Sequence, residues 1–442
     1  MYNRLLFLLT FFISISLVSQ NQNHNHCGFD HHRNHQLEKN PALLDICDDI
    51  EAKTKAYVEQ QRQNPKKVAE VITIPVVVHI VHTVSRPQSN VSDAKVYSQI
   101  EALNRDFRRM NADTSDTYID FKPIAADTEI EFCLAARDPN GYPTTGITRT
   151  ETEKDRFFVD TDDLKADSTG GKNPWPRDQY MNMWVCNNLC SNFSGCGILG
   201  YGTPPGISTP STDGIAIDYN FFGTLQPVSN TYDEGRTAVH EAGHWLNLFH
   251  TWGNVAENSS CNNDDSVDDT PRLDGPTFGC PSSRSNTCDE EMPDYPDMTE
   301  NFMDYSNDAC LNMFTIGQKL RMQATLEEVS YRSKIKESMG CVPVEQGLDD
   351  VRVVAVSQPN NIDLVCSVFE PQFTIENFGT EPLFSFTVDY SLNGNPYIFE
   401  WTGLVEPLKS GLINLPPLKV NSSLTDHELM ISVSNPNERE DF

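Results

Sequence analysis

Three histidines near the middle of the chain restrict its fold more than any other feature. In His240-Glu241-Ala242-Gly243-His244 two imidazoles stand four residues apart, a spacing that puts them one turn apart on a single face of a helix. His250 follows six residues later, and a continued helix of about 3.6 residues per turn would rotate it roughly 240° away. All three rings can meet only if the helix stops between His244 and His250. Asn247 stands where the stop is needed, and asparagine is the commonest residue after glycine to take the left-handed conformation. Trp245, Leu246, Leu248 and Phe249 are then free to pack the helix into a core. Three converging imidazoles suit a zinc ion, and Glu241, next to the first ligand, can reach a water at the ion without binding the ion itself. The plainer alternative is a helix that carries core or surface histidines with no common purpose.

The setting is that of an exported chain. Residues 1–19 begin with Arg4, run apolar from Leu5 to Val18 and reach the small residue Ser19, the pattern of a signal peptide. The run is shorter than the roughly 20 residues of a spanning helix. A secreted location is expected, with no stable membrane insertion, and twelve cysteines then read as disulfide partners. The 33 Lys and Arg against 63 Asp and Glu give a net charge of −30, which excludes nucleic acid as a natural partner.

Along the 442 residues, a prior of about 150 per unit suggests two or three units. Residues 20–40 hold His24, His26, His31, His32 and His35 among Asn and Gln with little to bury, and read as extended or disordered. Residues 41–67 read as weakly helical up to Pro65, and 20–67 together fit a removable pro-segment. A β-rich apolar run starts at Val71, with Pro75 marking a bulge or edge position. A helix is expected over 93–110, strands over 130–137, 180–186 and 214–219, the histidine helix over 233–248, and a last helix from Thr315 to about Met339. This predicts an α/β (α+β) domain over 68–345, with a mixed, mostly parallel sheet and an active-site helix. Residues 253–300 form a polar loop long enough to need staples. After Cys341, short alternating segments at 351–356, 373–376, 384–392 and 428–433 predict a C-terminal Ig-like β-sandwich over 346–442. The chain stops at Phe442, just past the last of them, so the sandwich is expected to be incomplete.

The run from His240 to His250, with Asn247 where the pattern has Gly, resembles the extended zinc motif of metzincins. Asn301-Phe302-Met303-Asp304-Tyr305 is similar to their Met-turn. Within that clan the chain resembles the pappalysin family over about residues 70–341, including Gln99-Ile100-Glu101-Ala102-Leu103-Asn104-Arg105-Asp106-Phe107 and Tyr180-Met181-Asn182-Met183-Trp184-Val185. The resemblance implies a metzincin-type zinc endopeptidase acting on proteins or peptides, with Met303 as an apolar floor under the metal and Tyr305 hydrogen-bonding the reaction's oxyanion. Zinc of this kind lowers the pKa of a bound water from near 16 to about 7, with Glu241 as the general base.

The resemblance further implies the disulfides Cys261–Cys288 and Cys280–Cys310. Between them, Asn262 to Pro271 concentrates oxygen ligands of the kind calcium prefers. A solvated acidic loop explains the run as well, and the resemblance favours calcium, with the Asp265 side chain and the Thr270 carbonyl as ligands. His26-Cys27-Gly28 resembles the short cysteine motif with which some pappalysin-like zymogens block their zinc; a disulfide between Cys27 and Cys47 is the other reading. Cys133, Cys186, Cys190, Cys196, Cys341 and Cys366 carry no expected pairing. The sandwich is a spacer or cap, or a contact for a surface, a glycan or a partner. Two rival functions are a zinc hydrolase of small amides and a binding protein on a dead protease scaffold; the second is disfavoured because every ligand and Glu241 are present.

Overall fold

The computed structural model describes residues 26–65, 70–253, 260–289, 294–359, 368–420 and 426–439. The expected signal peptide, residues 20–25 and Cys366 lie outside them. The chain opens with α1 (Phe29–Lys39), α2 (Leu43–Gln63), β1 (Ile72–Thr83), α3 (Asp93–Phe107), β2 (Ile130–Leu134) and β3 (Ile147–Thr152). It continues with β4 (Phe157–Phe158), β5 (Met181–Cys186), β6 (Leu189–Ser191), β7 (Gly195–Ile198), β8 (Gly200–Gly202), β9 (Ile215–Asp218), α4 (Arg236–Trp245) and α5 (Ile316–Glu328).

The main sheet runs β2-β1-β5-β9-β8, with β3 also beside β1. All its pairings are parallel except β8 with β9, so the expected mixed, mostly parallel α/β architecture is present. The β1 sequence is almost continuously apolar because both faces are covered. Val76, Val78 and Ile80 enter the core that α3 and α4 share, and Val81 enters a second cluster with Trp184 and Ile198. Pro75 pairs toward Cys133 of β2, while pairing to β5 begins only at Val76. The proline therefore stands where β1 has a neighbour on one side alone, which is where a residue without an N–H is tolerated.

At the edge of the sheet, β8 lies directly against α4. A Cβ on Gly202 would stand 2.3 Å from the carbonyl oxygen of Glu241, so only glycine allows this approach of strand to helix.

Two expectations need correction. Residues 29–39 are helical rather than extended, because the segment is anchored by paired polar groups as well as apolar area. His32 Nε2 meets Asp162 Oδ2 at 2.9 Å, His31 pairs with Asp160, and Phe29 is completely buried. The last helix ends at Glu328 rather than near Met339. Val329 turns extended (φ −86°, ψ 114°), and Arg332 stacks 3.7 Å over the Trp245 ring while its Nη1 donates to Asp213 Oδ1 at 2.6 Å. A short 3-10 turn at Ser333–Glu337 follows.

The C-terminal part contains β10 (Val351–Gln358), β11 (Val368–Phe369), β12 (Gln372–Asn377), β13 (Leu383–Leu392), β14 (Asn395–Val405), β15 (Ser410–Asn414), β16 (Leu418–Lys419) and β17 (Leu429–Ser434). Two three-stranded antiparallel sheets, β10-β12-β15 and β14-β13-β17, enclose Phe373, Ile375, Phe386, Val388 and Ile413 as a β-sandwich. Strands β14 and β15 were not expected from the sequence. Among the described residues no helix is long and apolar enough to cross a membrane.

Candidate active site

Helix α4 carries His240 and His244 on one face and ends at Trp245. Asn247 then takes φ +73°, the left-handed turn its position called for, and the chain reverses to bring His250 back. The Nε2 atoms of His240 and His250 each lie 3.1 Å from Nε2 of His244.

The outer ring nitrogens are all engaged. His240 Nδ1 lies 2.7 Å from the Phe302 carbonyl oxygen, His244 Nδ1 lies 2.8 Å from that of Leu248, and His250 Nδ1 lies 3.1 Å from Asp30 Oδ2. Each Nδ1 must therefore carry the proton, so three Nε2 lone pairs face one another in a dry site. Burial, the largest cause, holds the pKa values of His240 and His244 well below the usual histidine range. Lone pairs facing at this distance repel unless a cation lies between them, and a tetrahedral zinc with bonds of about 2.0–2.1 Å would separate its nitrogens by about 3.3 Å. The donor set and its spacing fit that ion.

A fourth ligand atom completes the cluster. Sγ of Cys27 and the three imidazoles offer atoms that all lie within 4.8 Å of one another. Burial, then the charge of Glu241, pushes the Cys27 thiol well above its ordinary pKa, so a thiolate here requires a cation beside it. Cys27 Sγ also lies 3.4 Å from Glu241 Oε2. Burial raises the Glu241 carboxyl to about 8, against hydrogen bonds from Cys27 and the Gly202 backbone. Cys27 and Cys47 are both free thiols, so the alternative disulfide between them does not form.

The floor is apolar. Met303 is fully buried, and a Cβ on Gly243 would stand 2.4 Å from its Sδ, which places the sulfur under the helix turn that bears the ligands. The Tyr305 ring stands 5.7 Å from that of His240 and 5.0 Å from that of His250. Sequence reasoning missed three neighbours of the cluster. Trp252 stacks on His250 at 4.4 Å, Phe29 stacks on His244 at 3.8 Å, and Asp30 holds His250 Nδ1. The last two come from the segment preceding the sheet, which crosses the cleft along β8 with Cys27 paired parallel to Gly200.

The family model described as Pregnancy-associated plasma protein-A (Peptidase_M43) matches residues 165–327. An extracellular metalloprotease of Pyricularia oryzae is 30% identical over 261 residues, covering 57% of this chain and 74% of that protein. Mature mirolysin of Tannerella forsythia, solved with a cleaved peptide, is 42% identical with a TM-score of 0.56, over 61% of this chain and 97% of that one. The chain belongs to the pappalysin family of metzincins. A promirolysin mutant from Tannerella forsythia extends the match to 71% of this chain and 97% of that one, at 38% identity and a TM-score of 0.62. As a family member the chain is a secreted metalloendopeptidase, and its metzincin type implies zinc.

The loop between α4 and the turn at Met303 is stapled by Cys261–Cys288 and Cys280–Cys310, and Cys133–Cys341 and Cys190–Cys196 also form. Cys186 is a buried thiol. In the acidic run Asp265 is buried, and its carboxylate accepts from the Thr270 hydroxyl at 2.9 Å and the Val267 N–H at 3.0 Å. Burial holds its pKa well above the ordinary carboxylate range.

Proposed function

We propose that the chain is made as a latent zymogen in which His240, His244 and His250 hold zinc, Cys27 fills the fourth position, and residues 20–67 are the removable pro-segment. The convergence of three Nε2 atoms with the Cys27 sulfur, carried by a segment lying along the cleft, is the observation behind this reading. In the latent form Cys27 stands where a water would have to approach Glu241, so ligand position and base are blocked together. Residues 68–345 are then the peptidase domain and 346–442 an Ig-like module.

Zinc bound by neutral imidazoles supplies Lewis acidity, polarising a peptide carbonyl and making water nucleophilic near neutral pH. Glu241 takes the proton of the attacking water and returns it to the leaving amine. The Tyr305 hydroxyl donates to the oxygen of the tetrahedral adduct. Met303 keeps the underside of the site dry, and Asn247 sets the turn that presents His250.

Peptides are the proposed substrates, and the solved mature mirolysin with its cleaved peptide supports that class. Removal of the pro-segment by limited proteolysis should yield phenanthroline-sensitive cleavage of casein. Glu241→Ala should keep zinc and lose the cleavage; an alanine variant that still cleaves would sink the mechanism. For calcium, the Asp265 carboxylate and Thr270 carbonyl remain the proposed ligands, and an unchanged melting temperature on calcium removal at constant zinc would exclude it. We assign the sandwich a spacer role, with surface or glycan contact as the alternative; binding to a glycan array would favour the alternative.

A further inference from the structure

The guanidinium that braces the histidine-bearing turn is capped by the pro-segment. Arg321 of α5 is 1% exposed. Its Nε donates to the carbonyl of Asn247 at 2.6 Å, and its guanidinium lies 4.9 Å from the centre of the Phe249 ring. The two terminal nitrogens are both taken by one carboxylate of α2: Nη1 donates to Glu51 Oε1 at 3.0 Å and Nη2 to Glu51 Oε2 at 2.6 Å. Burial pushes the Glu51 carboxyl up, yet the hydrogen bonds and charge of Arg321 outweigh it and leave the group below its ordinary value.

Beside this pair the pro-segment and the peptidase body enclose a cavity of about 120 Å³. Pro204, Pro205 and Ile207 line one wall, and Asn247 and Phe249 another. The first wall is the chain that leaves the rim strand β8, and the second is the turn between His244 and His250. The Glu51 carboxylate thus shares a cavity with the turn that joins His244 to His250.

When the pro-segment leaves, the body keeps the bond from Nε to Asn247 and the Phe249 ring, and loses only the carboxylate. A guanidinium fixed at one nitrogen, with two parallel N–H donors left open, is preorganised for bidentate carboxylate binding. We propose that Arg321 forms an acidic-residue subsite of the mature peptidase, which Glu51 fills in the latent chain as a substrate Glu or Asp side chain would. The proposal rests on the peptidase reading given above and names the substrate feature that site would select. The net charge of −30 repels acidic peptides generally, an effect screened beyond about 10 Å at 0.1 M salt. Acidic preference should therefore be confined to one substrate position and be absent or reversed at the others.

The test uses the full chain, expressed latent and activated by limited proteolysis, on fluorogenic peptides in which each position on both sides of the scissile bond is in turn Glu, Gln or Lys. At one position kcat/KM for Glu should exceed that for Gln by about tenfold, the scale of one charge-assisted bidentate contact. Lys should fall below Gln there, and added salt should shrink the ratio. Arg321→Met should bring the ratio to about one, and Arg321→Lys should keep part of it. Because each ratio is taken within one variant, a general loss of activity through the Asn247 turn cancels. If Arg321→Met does not fold, the lysine variant and the salt dependence carry the same comparison. Binding of the Glu and Gln peptides to the activated Glu241→Ala chain, read by fluorescence anisotropy, should show the same order. Equal cleavage and equal binding of Glu and Gln peptides at every position would overturn the subsite, as would a ratio that survives Arg321→Met. If no peptide is cleaved but the Glu peptide still binds more tightly, the peptidase reading fails and the subsite stands.

Discussion

Replacing Asp213 by alanine removes the acceptor on which two buried donors of the peptidase core depend. Trp245, the last residue of α4, donates its indole Nε1 to Asp213 Oδ1 at 2.8 Å, and Arg332 Nη1 donates to the same oxygen at 2.6 Å. The aspartate and arginine side chains are both 0% exposed. Loss of one partner of a buried ion pair costs about 3–5 kcal/mol, and a stranded indole N–H about 1–3 kcal/mol. The two penalties describe one missing carboxylate and overlap, so Asp213→Ala should destabilise by about 4 kcal/mol. At about 2–4 °C per kcal/mol for a body of this size, calorimetry should show the peptidase transition lowered by roughly 8–16 °C. The measurement belongs in a Glu241→Ala background, so that self-cleavage does not distort the scan. Asp213→Asn keeps an acceptor and loses the charge, and should cost about half as much. Adding Arg332→Met to Asp213→Ala should recover a large part of the loss, because no unpaired charge is then left buried. A shift under about 2 °C for Asp213→Ala would refute the reasoning and mean that water reaches both donors.

Gly202→Ala would drive a methyl into the Glu241 backbone carbonyl, where a Cβ has only 2.3 Å. The rim strand must move off the zinc helix, and peptide cleavage should fall at least about tenfold; wild-type kcat/KM would contradict this. Cys27→Ala should raise the resting activity of the unprocessed chain without reaching the processed level, because His32 with Asp162 and Glu51 with Arg321 still hold the cover. An unchanged lag before activation would count against Cys27 as the block. Asp160 and Asp162 are both held below their usual pKa, burial opposing the shift; a backbone hydrogen bond and His31 lower Asp160, and His32 with Lys165 lowers Asp162. A depressed carboxylate adds stability above its unfolded value near 3.9 and loses it as pH falls. The grip on the pro-segment should therefore weaken as the pH falls below about 4; proteolysis of the pro-segment between about pH 5 and pH 3 reads it, and protection undiminished across that range would contradict it.

The turn that brings the three histidines together was legible because its information is local. The spacing of His240, His244 and His250 demands a break, and Asn247 supplies it at φ +73°. The partners of those histidines were not, since Asp30 meets His250 across 220 residues and no local pattern marks it. Residues 29–39 were misread because low apolar content was taken to mean no anchorage, whereas His31 and His32 are held by aspartates of the peptidase body. Strand β8 escaped notice because Gly200-Tyr201-Gly202 is short and glycine-rich, and its pairing follows from the space α4 leaves rather than from strand propensity. In the sandwich, Asn393-Gly394 with φ of +54° and +78° is a strong hairpin signal, and it marks the turn from β13 into β14.

The most direct test of the account is metal analysis with X-ray absorption at the zinc edge on the full-length, unprocessed Glu241→Ala chain. One zinc per chain, with three nitrogen neighbours at about 2.0–2.1 Å and one sulfur at about 2.3 Å, is the expected result. A chain without zinc, or zinc surrounded by light atoms with no sulfur, would contradict the assignment of His240, His244, His250 and Cys27 to one latent metal centre.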